Sequence, residues 1–103
     1  MAKQVEPRRV EVVEWNRAEP ESKAIRETVF IHEQGVPVEL EWDGLDASCS
    51  HVLAWNDHGK AIGTARMQPN GTIGRMAVLK QWRGRGVGKA LLQALLDLAA
   101  TQG

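Results

Sequence analysis

The chain has 103 residues, 43% apolar and 25% charged, with 13 Lys/Arg against 13 Asp/Glu. These values exclude a disordered or collagen-like chain and fit one small domain. No apolar run approaches the ~20 residues that cross a bilayer, and the first nine residues hold no secretory core, so a cytosolic protein is expected. The single cysteine, Cys49, excludes an internal disulfide and a cysteine-based zinc cage, and no metal site is expected.

Val10, Val12 and Val13 alternate with Glu11 and Glu14 and, with Trp15, read as a first strand. A helix is expected to begin near Pro20, with Glu19 and Glu21 at its positive end. Ala24, Ile25, Val29 and His32 recur at helical spacing, which makes His32 a structural residue on the apolar stripe. Gly35 and Pro37 end that helix. Residues 36–50 read as an acidic loop with one short helical turn.

His51 to Trp55 reads as a strand, Asn56 to Gly59 as a turn containing His58, and Lys60 to Met67 as the next strand. Pro69-Asn70-Gly71-Thr72 signals a hairpin with a type I′ turn. Ile73 to Leu79 is a further strand. Glycines 84, 86 and 88 follow. The last helix then carries Val87, Leu91, Leu95, Leu98 and Ala99 on one stripe, with Leu92 and Leu96 widening it. Short turns make the three central strands antiparallel. The fold class is therefore α+β: a mainly antiparallel sheet of about four strands, an N-terminal helix, and a helix after the glycine loop.

Charge is divided along the chain. Residues 1–47 carry six Lys/Arg and eleven Asp/Glu, whereas residues 48–103 carry seven and two. No Lys or Arg lies between Arg26 and Lys60, where Glu27, Glu33, Glu39, Glu41, Asp43, Asp46 and Asp57 all fall. Two readings stand: a cation-attracting and an anion-attracting half, or two solvated faces that neutralise each other on folding.

Gln81-Trp82-Arg83-Gly84-Arg85-Gly86-Val87-Gly88-Lys89 joins a strand to a helix. Glycines allow close backbone approach, and the first helical amides have no internal acceptor. The helix dipole and Arg83, Arg85 and Lys89 add positive charge, so a phosphate is the expected guest. A tight turn with solvated basic residues is the plainer alternative. A Walker loop fails, because Lys89 precedes Ala90 and position 83 is Arg. The dinucleotide fingerprint fails, because Lys89 stands at its third glycine and the preceding strands are antiparallel.

Arg83 with Gly86 and Gly88 resembles the Arg/Gln-x-x-Gly-x-Gly/Ala loop of the GCN5-related N-acetyltransferases (GNAT). Upstream, Val29-Phe30, Glu33-Gln34-Gly35-Val36-Pro37, Glu41, Asp43-Gly44-Leu45-Asp46 and His51 resemble a small bacterial branch of that superfamily. The likeness covers about residues 9–103 and implies the family's three-layer α/β arrangement. It implies acetyl-CoA as co-substrate, with backbone amides of Arg83, Gly84, Arg85, Gly86, Val87, Gly88 and Lys89 around the diphosphate. Met76, Ala77 and Val78 would offer backbone partners to pantetheine, and the Val78 N–H would bond the thioester carbonyl. The implied reaction moves an acetyl group to a primary amine of a small molecule or protein, by direct attack in a ternary complex. The alternative is a CoA- or phosphate-binding module without turnover.

On the acceptor side, the acidic segment would attract a cationic amine, and Glu33, Glu41, Asp43 and Asp46 are candidate proton acceptors, each also readable as a solvated or capping group. His51 reads either as a base near neutral pH or as a satisfied strand-end histidine. Trp42 either lines an acceptor pocket or anchors the loop. Cys49 reads as a small buried residue. The family continues past this helix with a further strand, often followed by a tyrosine acid, and this chain has no tyrosine. The 103 residues are therefore expected to form one domain, the N-terminal portion of such an enzyme, with a fourth strand whose bare edge could pair with a second copy. Balanced charge and the acidic half speak against nucleic acid as partner, and no membrane contact is expected.

Overall fold

The computed structural model describes residues 9–102. Four strands form one antiparallel sheet in the order β1-β2-β3-β4: β1 (Arg9–Val13), β2 (Ser50–Trp55), β3 (Ala61–Met67) and β4 (Ile73–Val78). Helix α1 (Trp15–Arg26) follows β1 and runs directly into a π-helical segment, Glu27–Glu33. The short α2 (Val38–Glu41) and a 3-10 turn, Asp46–Ser48, lie in the acidic stretch, and α3 (Val87–Gln102) closes the described chain. No helix among the described residues is long and apolar enough to cross a membrane.

All seven residues of β3 are buried, which requires cover on both faces. Thr64 bonds Ser22 of α1 at 3.2 Å, while a Cβ on the neighbouring Gly63 would lie 3.0 Å from Leu91 and Val87 of α3. Adjacent strand residues point to opposite faces, so α1 and α3 sandwich the sheet. This is the expected α+β class with its helix-sheet-helix layering. The main core joins Ile25 and Val29, Val52, Ile62 and Met67, and Val87, Leu91 and Leu95.

Several local expectations change. Trp15 opens α1 rather than extending β1, because the Glu14 carbonyl already accepts from Arg17 and Ala18 at 3.0 and 2.9 Å. Pro20 consequently lies inside the helix. The π-helical segment bonds with wider spacing, as Gln34 N–H to Val29 O shows at 3.2 Å, which rotates the apolar stripe away from His32. His32 is exposed, as is Ala24, and the buried face of this helix is Ala18, Ser22, Ile25, Arg26 and Val29. The β3–β4 turn is not type I′: Asn70 does not have positive φ, whereas Gly71 does at 90°, and Gly71 N–H bonds Gln68 O at 2.8 Å. Proline at its second position pre-sets a type I geometry instead. Leu92 and Leu96 face outward, so the buried stripe of α3 is narrower than the sequence suggested.

β4 carries a bulge. Gly74 opposes Arg66 and Ala77 opposes Thr64, so Arg75 and Met76 together face Ala65. Arg75 adopts φ 50°, the left-handed conformation that such a bulge uses.

Candidate functional site

The glycine loop leaves β4 through a single 3-10 turn, Lys80–Trp82, and enters α3. Gly84 and Gly86 take φ of 76° and 83°, a region costly for any residue with a Cβ. The first helical bond closed at this end is Ala90 N–H to Gly86 O at 3.0 Å, so the amides of Val87, Gly88 and Lys89 have no acceptor within the helix. No acidic residue occupies that first turn. The loop is thus a cationic helix mouth with amide donors, which fits an anion such as a diphosphate.

This mouth abuts the outer edge of the sheet. A Cβ on Gly88 would lie 3.7 Å from Met76 Sδ and 4.0 Å from Val78 Cγ2. Leu79 N–H bonds Ile62 O at 2.9 Å, so the Gly63–Val78 pair between the same strands is the non-bonded kind. The Val78 peptide groups therefore point away from β3, toward the open side of β4. By the same alternation Ala77 bonds within the sheet opposite Thr64, and its side chain is buried. Ala77 is therefore not available to a ligand, contrary to the sequence expectation.

Arg83 does not project freely. Its Nε donates to Val78 O at 2.9 Å and its Nη2 to Glu33 Oε1 at 2.9 Å, pinning the π-helical segment to the β4 end. Arg85 stacks over Trp82 at 5.1 Å, and Lys89 is exposed. Glu33 thus stands at the glycine loop, already shared with a guanidinium.

Asp46 and His51 lie elsewhere, in a buried ionic cluster that sequence reasoning missed. Arg26, 1% exposed, donates to Glu41 Oε2 and Asp46 Oδ1, both at 2.8 Å, and lies 4.9 Å from the Trp42 ring. Arg66 donates to Asp43 Oδ2 at 2.6 Å and, through Nη1, to Asp43 Oδ1 and Asp46 Oδ1 at 3.0 Å. Arg75 Nη2 donates to Leu40 O, Glu41 O and Asp43 Oδ2 at 3.2, 3.3 and 3.2 Å, anchoring the bulge. The two arginines on β3 and β4 are what the arginine-free acidic segment folds onto. Their signal in the sequence was only their alternation with apolar residues inside strands.

The electrostatics follow from this pairing. The hydrogen bond from Arg66 holds the Asp43 carboxyl well below the usual carboxylate range. Burial pushes the Asp46 carboxyl up, but the bonds and charges of Arg26 and Arg66 outweigh it and lower it. His51 is buried, donates Nε2–H to Asp46 O at 2.8 Å, and lies 4.6 Å from the Trp15 ring. Burial lowers its pKa, so it is held neutral, and its Nδ1 has no partner among the described residues. Cys49 is buried, and its thiol is pushed up by that burial and donates to Leu45 O. Expected as proton acceptors, Glu41, Asp43 and Asp46 are instead committed to arginines. Within the acidic segment Glu41, Asp43 and Asp46 are neutralised by arginines on folding, while Glu27, Glu39 and Asp57 stay exposed. Trp42 packs as a loop anchor beneath Arg26 and Lys23.

The described residues thus set a bulged edge strand beside an amide-lined helix mouth. The profile described as "Acetyltransferase (GNAT) family" matches residues 9–103, and the chain belongs to that family. It is 38% identical over 82 residues to the Bacillus subtilis (strain 168) uncharacterised N-acetyltransferase YjcF, covering 77% of this chain and 58% of that protein. A crystal structure of an acyl-CoA N-acyltransferase from Pseudomonas aeruginosa superposes with a TM-score of 0.80 at 25% identity, over 91% of this chain and 71% of that one. An N-acetyltransferase-like structure from Lactobacillus plantarum gives 0.79 at 27%, over 91% and 69%. The chain spans somewhat under three-fifths of the curated relatives it matches.

Proposed function

We propose that the protein is part of an N-acetyltransferase that moves an acetyl group from acetyl-CoA to a primary amine in a ternary complex. The observation that carries this reading is the contact of the α3 mouth with the open edge of β4, where Gly88 meets Met76 and Val78. A diphosphate at the amides of Val87, Gly88 and Lys89 lets a pantetheine arm run along β4 as an added strand. Arg85 and Lys89 supply the counter-charge. The Val78 N–H, turned away from β3, polarises the thioester carbonyl. Membership of the family and the fit of these groups support the assignment, and a cytosolic location goes with it.

In this reaction the amine nitrogen forms the C–N bond, the C–S bond breaks, the nitrogen loses one proton and the departing thiolate gains one. Within this reading Asp46 holds Arg26 and Arg66 in the buried cluster with His51 bonded to its carbonyl, Glu33 positions Arg83, and the proton leaves to solvent. Isothermal titration with CoA and thiol release from acetyl-CoA across an amine panel test it. Saturable CoA binding and amine-dependent release are expected. Binding without release would assign the chain to the alternative, a CoA-binding module. Absence of CoA binding would overturn the placement.

A further inference from the structure

We infer that the acceptor of this proposed reaction is an amine carried on an apolar group, seated against Phe30, Val36, Leu40 and Met76; the inference rests on the transferase reading and refines it. A cavity of about 390 Å³ opens beside the β4 bulge, between the π-helical segment and α2, and these four residues with Glu41 and Arg75 line it. That size suits a small organic molecule. It lies at Met76, two residues before the Val78 amide that turns to the open edge.

The charge arrangement decides the class of ligand. Of the two ionic lining residues, Glu41 is buried, accepts from Arg26 Nε at 2.8 Å, and pairs with Arg75 Nε at 3.3 Å. Arg75 is itself bound to Asp43 and to the carbonyls of Leu40 and Glu41. The pocket offers no unpaired carboxylate to a second cationic group and holds its one arginine in a salt-bridged lattice. A diamine entering here loses hydration without gaining a carboxylate for its second cation. The walls, by contrast, are apolar, and Leu40 stands 63% exposed with its side chain uncovered.

The same walls serve the chemistry. An amine attacks only as the free base, and moving an ammonium into apolar surroundings favours its neutral form. A pocket of this kind assists deprotonation where no carboxylate is free to take the proton.

Methyl NMR of the protein, without CoA, tests this with 2-phenylethylamine and putrescine as probes. Saturable shifts of the Leu40 and Met76 methyls by 2-phenylethylamine are expected, with affinity at least tenfold above putrescine. Leu40→Asp, at an exposed position that the fold tolerates, should abolish that preference while the melting temperature holds. Equal or tighter binding of putrescine at those methyls, or no shift with 2-phenylethylamine, would overturn the inference. Thiol release is scored separately: its absence beside a retained apolar preference counts against the transferase reading and leaves the pocket's ligand class supported.

Discussion

Asp46→Asn removes one charge from the buried cluster and keeps the side chain's volume. Asp46 is 7% exposed, and its Oδ1 accepts from both Arg26 and Arg66. The substitution leaves Arg26, Arg66 and Arg75 sharing two carboxylates, Glu41 and Asp43, and one buried charge left uncompensated in this way costs about 3–5 kcal/mol. For a domain near 100 residues each 1 kcal/mol lowers the melting temperature by roughly 4–8 °C, so a fall of at least ~12 °C is expected. Tryptophan fluorescence is a suitable probe, because Trp42 lies over Arg26 and Trp15 against His51. The effect also has a pH signature. The lowered carboxyls of Asp43 and Asp46 bind fewer protons folded than unfolded, so they add stability above the ordinary Asp value of about 3.9, lost as pH falls below it. The Asn variant should lose part of that acid dependence. A melting temperature within ~3 °C of the parent would refute the claim that this cluster holds the acidic segment to the sheet.

Gly88→Glu should leave the fold intact, since its Cβ meets only ordinary contacts and an acid in a helix's first turn is favourable; CoA affinity in titration should fall by ~100-fold or more as the carboxylate confronts the diphosphate. Gly63→Ala should destabilise by about 1–3 kcal/mol in a denaturant melt, because its Cβ would sit 3.0 Å from Leu91 and Val87 with Ala77 O behind. His51, held neutral by burial, binds a proton more readily when unfolded, so stability should decline as pH drops below about 6.5, and His51→Gln should flatten the profile between pH 5 and 7.

The order of strands and helices, the antiparallel pairing of the three central strands and the glycine loop were legible because each is written in short-range patterns: alternation, helical spacing and Asn-Gly or glycine-rich turns. Arg83, Gly86 and Gly88 pointed to the family, and the family profile agrees. His32 was misread because a widening of the helix after Arg26 is invisible to a fixed 3.6-residue spacing. Ala77 was misassigned because strand alternation beside a bulge depends on the partner strand.

What the sequence determined alone was therefore local: which segments pair, where the chain turns, and where naked amides gather. Only tertiary structure settled the fate of the charges. Arg26, Arg66 and Arg75 are separated along the chain by stretches of 40 and 9 positions, yet all three converge on Glu41, Asp43 and Asp46. A charge count cannot distinguish an attracting surface from a satisfied interior, because Coulomb pairing depends on distance and burial rather than on order.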